Sequence, residues 1–302
     1  MSDDRLPDGW MLRPTTAEDA RDLLALVHAS DMTAIGFADF TLEDVADGLT
    51  GPYSEVVVAP NGAVAGWAYL DPGSGGGREF AEVYVHPEGG LPAQRPLLAR
   101  AVAAARQRGA TTIRAASIPS EREWIDSITA AGFGFVKQYA RMGVDLPAPV
   151  GDPVPGVAVR TATEGDLPQF YEVFDAAFRD TPDYQPGGYQ RWRERFVDGH
   201  PVRLDEWFVA EVDGRIAGVL QSAESGEGGD EGWVKHLAVL REHRKRGVGR
   251  TLLAAAFARY LANGRRRAGL GVDLANPTEA IRLYTGVGMR PVYQANVYER
   301  EL

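Results

Sequence analysis

The chain contains no cysteine. Disulfides, thiolate metal sites and a cysteine nucleophile are therefore excluded. Histidine is scarce, with five residues scattered without metal-ligand spacing, and no metal is expected. Lysine is scarcer still: there are three, so arginine supplies nearly all the positive charge. That bias, with the richness in alanine and glycine, marks a GC-rich bacterial coding sequence. No apolar run approaches the ~20 residues of a membrane span, so no membrane partner is expected. The opening MSDDRLPDGW is polar and acidic, unlike a secretory signal, and the expected location is the cytoplasm. A formal net charge of -10 argues against nucleic acid as a partner.

What is present suffices for two domains, each long enough to bury a core. The segment DLPAPVGDPVPG, Asp145 to Gly156, holds four prolines and no periodic pattern, and reads as a semi-rigid linker. The sequence on its two sides is self-similar. GWMLRPTTAEDARDLLALVHA and GVAVRTATEGDLPQFYEVFDAAF each read as a short strand, a Thr-x-x-Asp helix start (Thr16/Asp19, Thr163/Asp166) and an amphipathic helix. Each continues into a β-hairpin, turning at Asn61-Gly62 or Asp213-Gly214, then a glycine-rich loop, strand, helix, strand, short helix and strand. The expected fold is α+β: two tandem domains of one kind, each a mixed, mostly antiparallel twisted sheet flanked by helices. Residues 1–146 form the N-terminal domain, 147–155 the linker and 156–302 the C-terminal domain.

Against the acidic background, five of the ten residues from Arg241 to Arg250, REHRKRGVGR, are Lys or Arg. An apolar strand, WVKHLAVL, precedes this stretch. The amphipathic helix VGRTLLAAAFARYLA follows, marked by Val248, Leu252, Leu253, Phe257, Tyr260 and Leu261 and stopped by Asn263-Gly264. The basic stretch is thus a strand-to-helix turn. A helix N-terminus offers unpaired N–H groups and the positive end of the macrodipole. Gly247 and Gly249 admit a ligand close to the backbone, and Arg244, Arg246 and Arg250 add charge, which together suit a diphosphate. A solvated basic loop is the alternative.

In this setting Arg244-x-x-Gly247-x-Gly249 resembles the central motif of the GNAT superfamily of acyl-CoA-dependent N-acyltransferases. The downstream LGVDLANPTEAIRLYTGVGM fits that family too, with a strand, Asn276, a helix bearing Tyr284, and Gly-x-Gly-Met. The resemblance covers Val157 to Leu302 well and the N-terminal half in outline. It implies acetyl-CoA (coenzyme A) as the cofactor. Pantetheine would lie along the backbone of Leu237, Ala238 and Val239, and the pyrophosphate on the N–H groups of Arg246, Gly247, Val248, Gly249, Arg250 and Thr251. An amine would attack the thioester directly in a ternary complex. Tyr284 is the implied general acid for the departing thiolate, with an inward-packed aromatic as the alternative. Asn276, before Pro277, reads as a helix N-cap, to which the resemblance adds a contact to the pantetheine arm.

The resemblance implies a Glu or His two or four residues before the apolar triplet, but Lys235 and Trp233 stand there. Alternation points His236 to the other face. Glu231, in the parity of Lys235, could act through a water, or the amine enters as free base unaided. In the N-terminal copy the turn reads HPEGGLPAQRP, without the motif and with prolines that remove N–H donors. Ile128 stands for Tyr284 there and Ser120 for Asn276, so that copy is read as structural or as a wall of the acceptor site, its Gly doublet leaving non-catalytic acyl-CoA binding open. The expected partner is a small-molecule amine acceptor, met by Tyr184 to Phe196 and by an acidic loop with Glu224, Glu227, Asp230 and Glu231. Tandem members with one intact copy include the mycothiol synthases of actinobacteria, which makes a cysteinyl amine one alternative acceptor. A non-catalytic acyl-CoA sensor is the other alternative, and the chain is expected as monomer or homodimer.

Overall fold

The computed structural model describes residues 5–75, 77–152, 154–179, 181, 184–198, 202–225, 229–275 and 280–302. They form twelve strands and eight α-helices in two compact units, Met1–Tyr139 with Tyr293–Leu302, and Ala140–Val292.

Unit 1 contains β1 (Met11–Pro14), α1 (Ala20–Ala34), α2 (Leu42–Thr50), β2 (Ser54–Val58), β3 (Val64–Gly75), β4 (Arg78–Val85), α3 (Gln94–Gln107), β5 (Thr112–Ser117), α4 (Arg122–Ala130) and the first half of β6 (Gly134–Asp145). Its strand order runs β1-β2-β3-β4-β5 and closes on the end of the chain's last strand, β12 (Arg290–Glu301), which pairs antiparallel with β5 from Asn296↔Ser117 to Glu301↔Thr112. Unit 2 contains β7 (Ala158–Thr161), α5 (Leu167–Phe178), α6 (Tyr189–Arg193), β8 (Phe208–Val212), β9 (Arg215–Ser225), β10 (Glu231–Val239), α7 (Val248–Ala262), β11 (Arg267–Asp273) and α8 (Ala280–Gly286). Its order is β7-β8-β9-β10-β11, closed by β6 from the first half of the chain. The compact units thus differ from the sequence boundaries at both ends. The final strand of each repeat completes the sheet built by the other.

Local chemistry accounts for the elements. Asp213 and Gly214 both take positive φ between β8 and β9, as a two-residue hairpin turn requires, and Gly62 does so between β2 and β3. Thr16/Asp19 and Thr163/Asp166 form capping boxes. Gly264, at φ +82, ends α7 in the left-handed region. Strands β2 and β8 read as apolar runs because both faces are covered: Phe208, Ala210 and Val212 pack on the α7 side, and Val209 on the α5 side. Leu261 alone among the expected apolar positions of α7 stays out, 44% exposed. The Pro-rich segment packs onto unit 2. Val144, Leu146, Ala148, Val150 and Val157 lie against its core, and Leu146 N–H donates to Arg266 C=O at 2.8 Å.

Candidate functional site

In unit 2, β10 and β11 run parallel but pair only from Glu231↔Arg267 to Trp233↔Gly269. Beyond Trp233, β10 continues to Val239 with β9 on its other side, so its β11-facing edge is open. Leu240 N–H donates to Ala217 C=O on the β9 side. By alternation Leu237 and Val239 turn their backbone groups toward the opening, and Ala238 turns its own toward β9.

The basic turn follows. Lys245 (φ 61) and Gly247 (φ 81) are left-handed, the lysine in a region that a side chain disfavours. Gly247 is the N-cap of α7, and the helix begins with neither a side-chain cap nor an acidic residue in its first turn. Thr41, by contrast, caps α2 through its hydroxyl. The first-turn N–H groups of α7 are therefore left for an anion, and the site fits a diphosphate. Both N–H and Oγ1 of Thr251 turn inward to Gly247 C=O, at 3.0 and 3.1 Å. Arg246 is exposed beside them, and Arg250 donates to Asp152 C=O at 3.3 Å. Arg244 has a different place. Its Nε donates to Val239 C=O and its Nη2 to Ala177 C=O, each at 3.1 Å, which staples the end of β10 to α5. Gly249 is needed for packing: a Cβ there would meet Leu283 Cδ2 at 2.9 Å, so its absence lets α8 seat on α7.

Tyr284 follows Leu283 on α8. It is buried, and burial pushes its phenol up to about 12. Glu231 is buried as well, bound through both oxygens to the Arg141 guanidinium at 3.2 and 2.6 Å. Arg141 also stacks on Trp233. Asn276 and Glu227 lie outside the described residues.

Alternation alone misplaces His236. A register shift between Val234 and His236 inserts Lys235 as an extra residue, which returns His236 to the face of Trp233 and Glu231. No sequence signal marks that bulge. His236 Nδ1 lies 2.8 Å from Gln221 Oε1. With the amide oxygen accepting, Nδ1 carries the proton and Nε2 keeps its lone pair. Burial, then the charges of Lys235 and Arg195, depress this imidazole to about 3. Around it stand Phe174, Phe178 and Phe196.

The acidic acceptor loop looks different in three dimensions. Asp230 pairs with Arg267 and Glu231 with Arg141, which neutralises both. Residues 184–196 contribute an aromatic layer instead, Tyr189, Trp192 and Phe196 against Phe170 and Phe174.

Unit 1 repeats the opening without the turn. Strands β4 and β5 pair only from Arg78↔Thr112 to Phe80↔Arg114. Met289 N–H donates to Tyr284 C=O as Phe133 N–H does to Ile128 C=O, so Ile128 occupies the place of Tyr284. Helix α3 starts from a 3-10 turn, Leu91–Ala93, and carries buried Pro96 in its first turn. A Cβ at Gly90 would meet Ala65 O and His86 N at 2.4 Å, so this glycine serves a tight turn.

Among the described residues no helix is long and apolar enough to cross a membrane. Residues 167–289 match the model of the acetyltransferase (GNAT) family. A segment of 73 residues is 44% identical to human Probable N-acetyltransferase 14, of which it spans 35%. The GCN5-related N-acetyltransferase of Sphaerobacter thermophilus superposes with a TM-score of 0.85 at 24% identity, covering 98% of this chain and 97% of that one. A tandem GNAT protein from the clavulanic acid biosynthesis pathway superposes at 0.75 with 20% identity, over 97% and 98%. Residues 167–289 thus carry the match to the acetyltransferase (GNAT) family, and the chain shares the fold of solved GNAT proteins along nearly its whole length.

Proposed function

We propose that the chain is an N-acyltransferase that moves an acetyl group from acetyl-CoA to the amine of a small metabolite, with unit 2 as the active unit. One conjunction carries this reading: an uncapped α7 N-terminus beside an unpaired β10 edge. The thioester supplies an acyl carbon already activated toward amines. First-turn N–H groups of α7, with Arg246 and Arg250, hold the diphosphate. The backbones of Leu237 and Val239 hold an extended amide chain as a strand would. Tyr284 donates its O–H toward the sulfur. A phenol near 12 keeps its proton across the working range, so it acts as a hydrogen-bond donor to the charge gathering there.

Glu231, engaged at both oxygens by Arg141, is a structural post under Trp233. His236 stands in place of a base as a hydrogen-bond acceptor only: Nε2 accepts from the incoming amine and so orients the amine's lone pair. An imidazole near 3 holds no proton at neutral pH, so the amine enters as free base and its proton passes to solvent. The test is thiol release from acetyl-CoA across a panel of metabolite amines, cysteinyl amines included. Amine-dependent release with acylated product is expected. Saturable coenzyme A binding with no release for any amine would make the chain an acyl-CoA-binding protein instead.

A further inference from the structure

At the opening between β4 and β5, on the α1 side of unit 1, lies a cavity of about 240 Å³. Four carboxylates line it: Asp31 of α1, Asp39 beyond it, Glu82 of β4, and Glu121 just before α4. No lysine or arginine does. These acids are half-buried, and the fully buried acids of the molecule are treated differently. Asp19, Glu55, Glu79, Asp175, Glu206 and Glu231 are buried, and each faces an arginine. Asp31, Glu82 and Glu121 make no ion pair among the described residues.

Glu82, on β4, is half-buried. Oε2 accepts from Tyr84 O–H at 3.1 Å, and Oε1 has no hydrogen-bond partner among the described residues while the side chain lines the cavity. Holding an unmatched carboxylate in such a place costs stability. An arginine or an amide at any lining position would remove the cost, as arginine does at six other sites. The walls are aromatic: Phe40, Tyr84, Trp124 and Tyr293. Trp124 donates to Ala116 C=O at 2.6 Å, so its ring lies against β5.

We propose that this cavity binds a small organic cation, a primary ammonium on an aromatic or apolar body, with the ammonium at Glu82 and Asp31 and the body between Tyr84 and Tyr293. A cation supplies the missing charge, and aromatic walls favour it further. The site goes beyond acyl transfer and needs no coenzyme A: the α3 start in unit 1 is led in by a 3-10 turn and carries Pro96, which has no N–H to offer a diphosphate.

Binding depends on pH in a stated direction. Burial, then the charges of Asp71, Glu121 and Asp44, raises Glu82 to about 7. Asp31 and Glu121 are raised as well by burial. The other groups facing the cavity are the phenols of Tyr84 and Tyr293 and the carboxylate of Asp39, which accepts from Tyr293 O–H at 2.7 Å. Nearby His28 acts on Asp31. Carboxylates gain charge as pH rises, so a cation binds more tightly above about pH 7 and more weakly below it.

The experiment is calorimetric titration of the full chain, without acyl-CoA, using phenethylammonium chloride and its neutral counterpart 2-phenylethanol. We expect phenethylammonium to bind at least about tenfold tighter than the alcohol, and at least about fivefold tighter near pH 8 than near pH 5.5. Glu82→Gln should lower its affinity about tenfold. Asp31→Asn should lower it in the same direction, and Asp230→Asn in unit 2 should leave it unchanged. No saturable binding at millimolar phenethylammonium, equal affinity for the alcohol, or equal affinity in parent, Glu82→Gln and Asp31→Asn would overturn the site. An inactive transferase would leave these outcomes as they are, so the two readings fail separately.

Discussion

The two units open their sheets at the same place and furnish the opening in opposite ways. In unit 2 the strand edge runs up to a helix that starts on a left-handed glycine with bare N–H groups. In unit 1 the equivalent helix is entered through a 3-10 turn, and a proline occupies its first turn. Tyr284 is buried on α8 of unit 2, and Ile128 is buried at the corresponding place in unit 1. Trp124 fills space on β5 of unit 1, and four carboxylates line what is left. A helix start without a side-chain cap and an acidic, aromatic-walled cavity are therefore built on one scaffold. The difference lies in the first turn of a helix and in a few side chains, while strand pairing is kept.

Removing the filler from unit 1 is the most drastic way to break this contrast. Trp124→Ala deletes a buried indole and its bond to Ala116, and should destabilise the chain by about 3–5 kcal/mol in denaturant unfolding. Coenzyme A stoichiometry should nonetheless stay at one per chain, because the wider opening still ends on a helix without a cradle. Two sites by calorimetry would show that the indole, and not the helix start, separates the units.

The second effect concerns Tyr284. Tyr284→Phe should lower kcat by about 10- to 100-fold, with affinity for acetyl-CoA nearly kept, since the O–H matters as charge develops on sulfur. With the phenol raised to about 12, the parent should show no alkaline limb from this residue below about pH 11. The reciprocal Ile128→Tyr should leave turnover unchanged. A Phe variant within about twofold of the parent would return Tyr284 to packing.

The unmatched acid of unit 1 predicts a smaller effect with a definite sign. Glu82 is raised from 4.5 to about 7, so the folded chain holds a proton that the unfolded chain loses. Its contribution is present below about pH 4.5 and is lost as pH rises through about 7. Glu82→Gln keeps the neutral form and the Tyr84 contact. It should stabilise the ligand-free protein by about 2 kcal/mol near pH 8 and by nothing measurable near pH 4. Thermal melts at both pH values check this, and a variant less stable near pH 8 would contradict the burial argument.

Much of this arrangement was legible in residue order. The repeat, both hairpin turns, the capping boxes at Thr16 and Thr163 and the strand-to-helix turn at Gly247 follow from local chemistry, and each is where alternation and capping put it. What escaped depends on partners distant in the chain. Exchange of the final strands rests on β12 pairing with β5, and no local signal distinguishes that from closure within each repeat. The pairing of Glu231 with Arg141 spans ninety positions, and it turns a candidate base into a structural ion pair. Asp230, counted toward an acidic funnel, is matched by Arg267. A single bulge at Lys235 reversed the parity that excluded His236. Arg244, read as a phosphate ligand from its motif, spends its guanidinium on two carbonyls.

The last comparison separates charge from packing at the two helix starts. Arg246 is exposed, with no hydrogen bond or ion pair to another residue among the described ones, so reversing its charge should leave folding intact. Next to a diphosphate on the α7 terminus, Arg246→Glu replaces an attraction with a repulsion and should weaken coenzyme A binding by about tenfold at low salt. The loss should shrink as salt is added, because both groups face solvent. In unit 1 the arginine in the first turn of α3 is Arg95, also exposed and held by one long contact to Ser127 at 3.4 Å. Arg95→Glu should change coenzyme A affinity by less than about twofold. Equal losses at both positions would mean that the diphosphate is drawn by the field of the whole molecule. A loss confined to Arg246 places it on α7, where the bare N–H groups are.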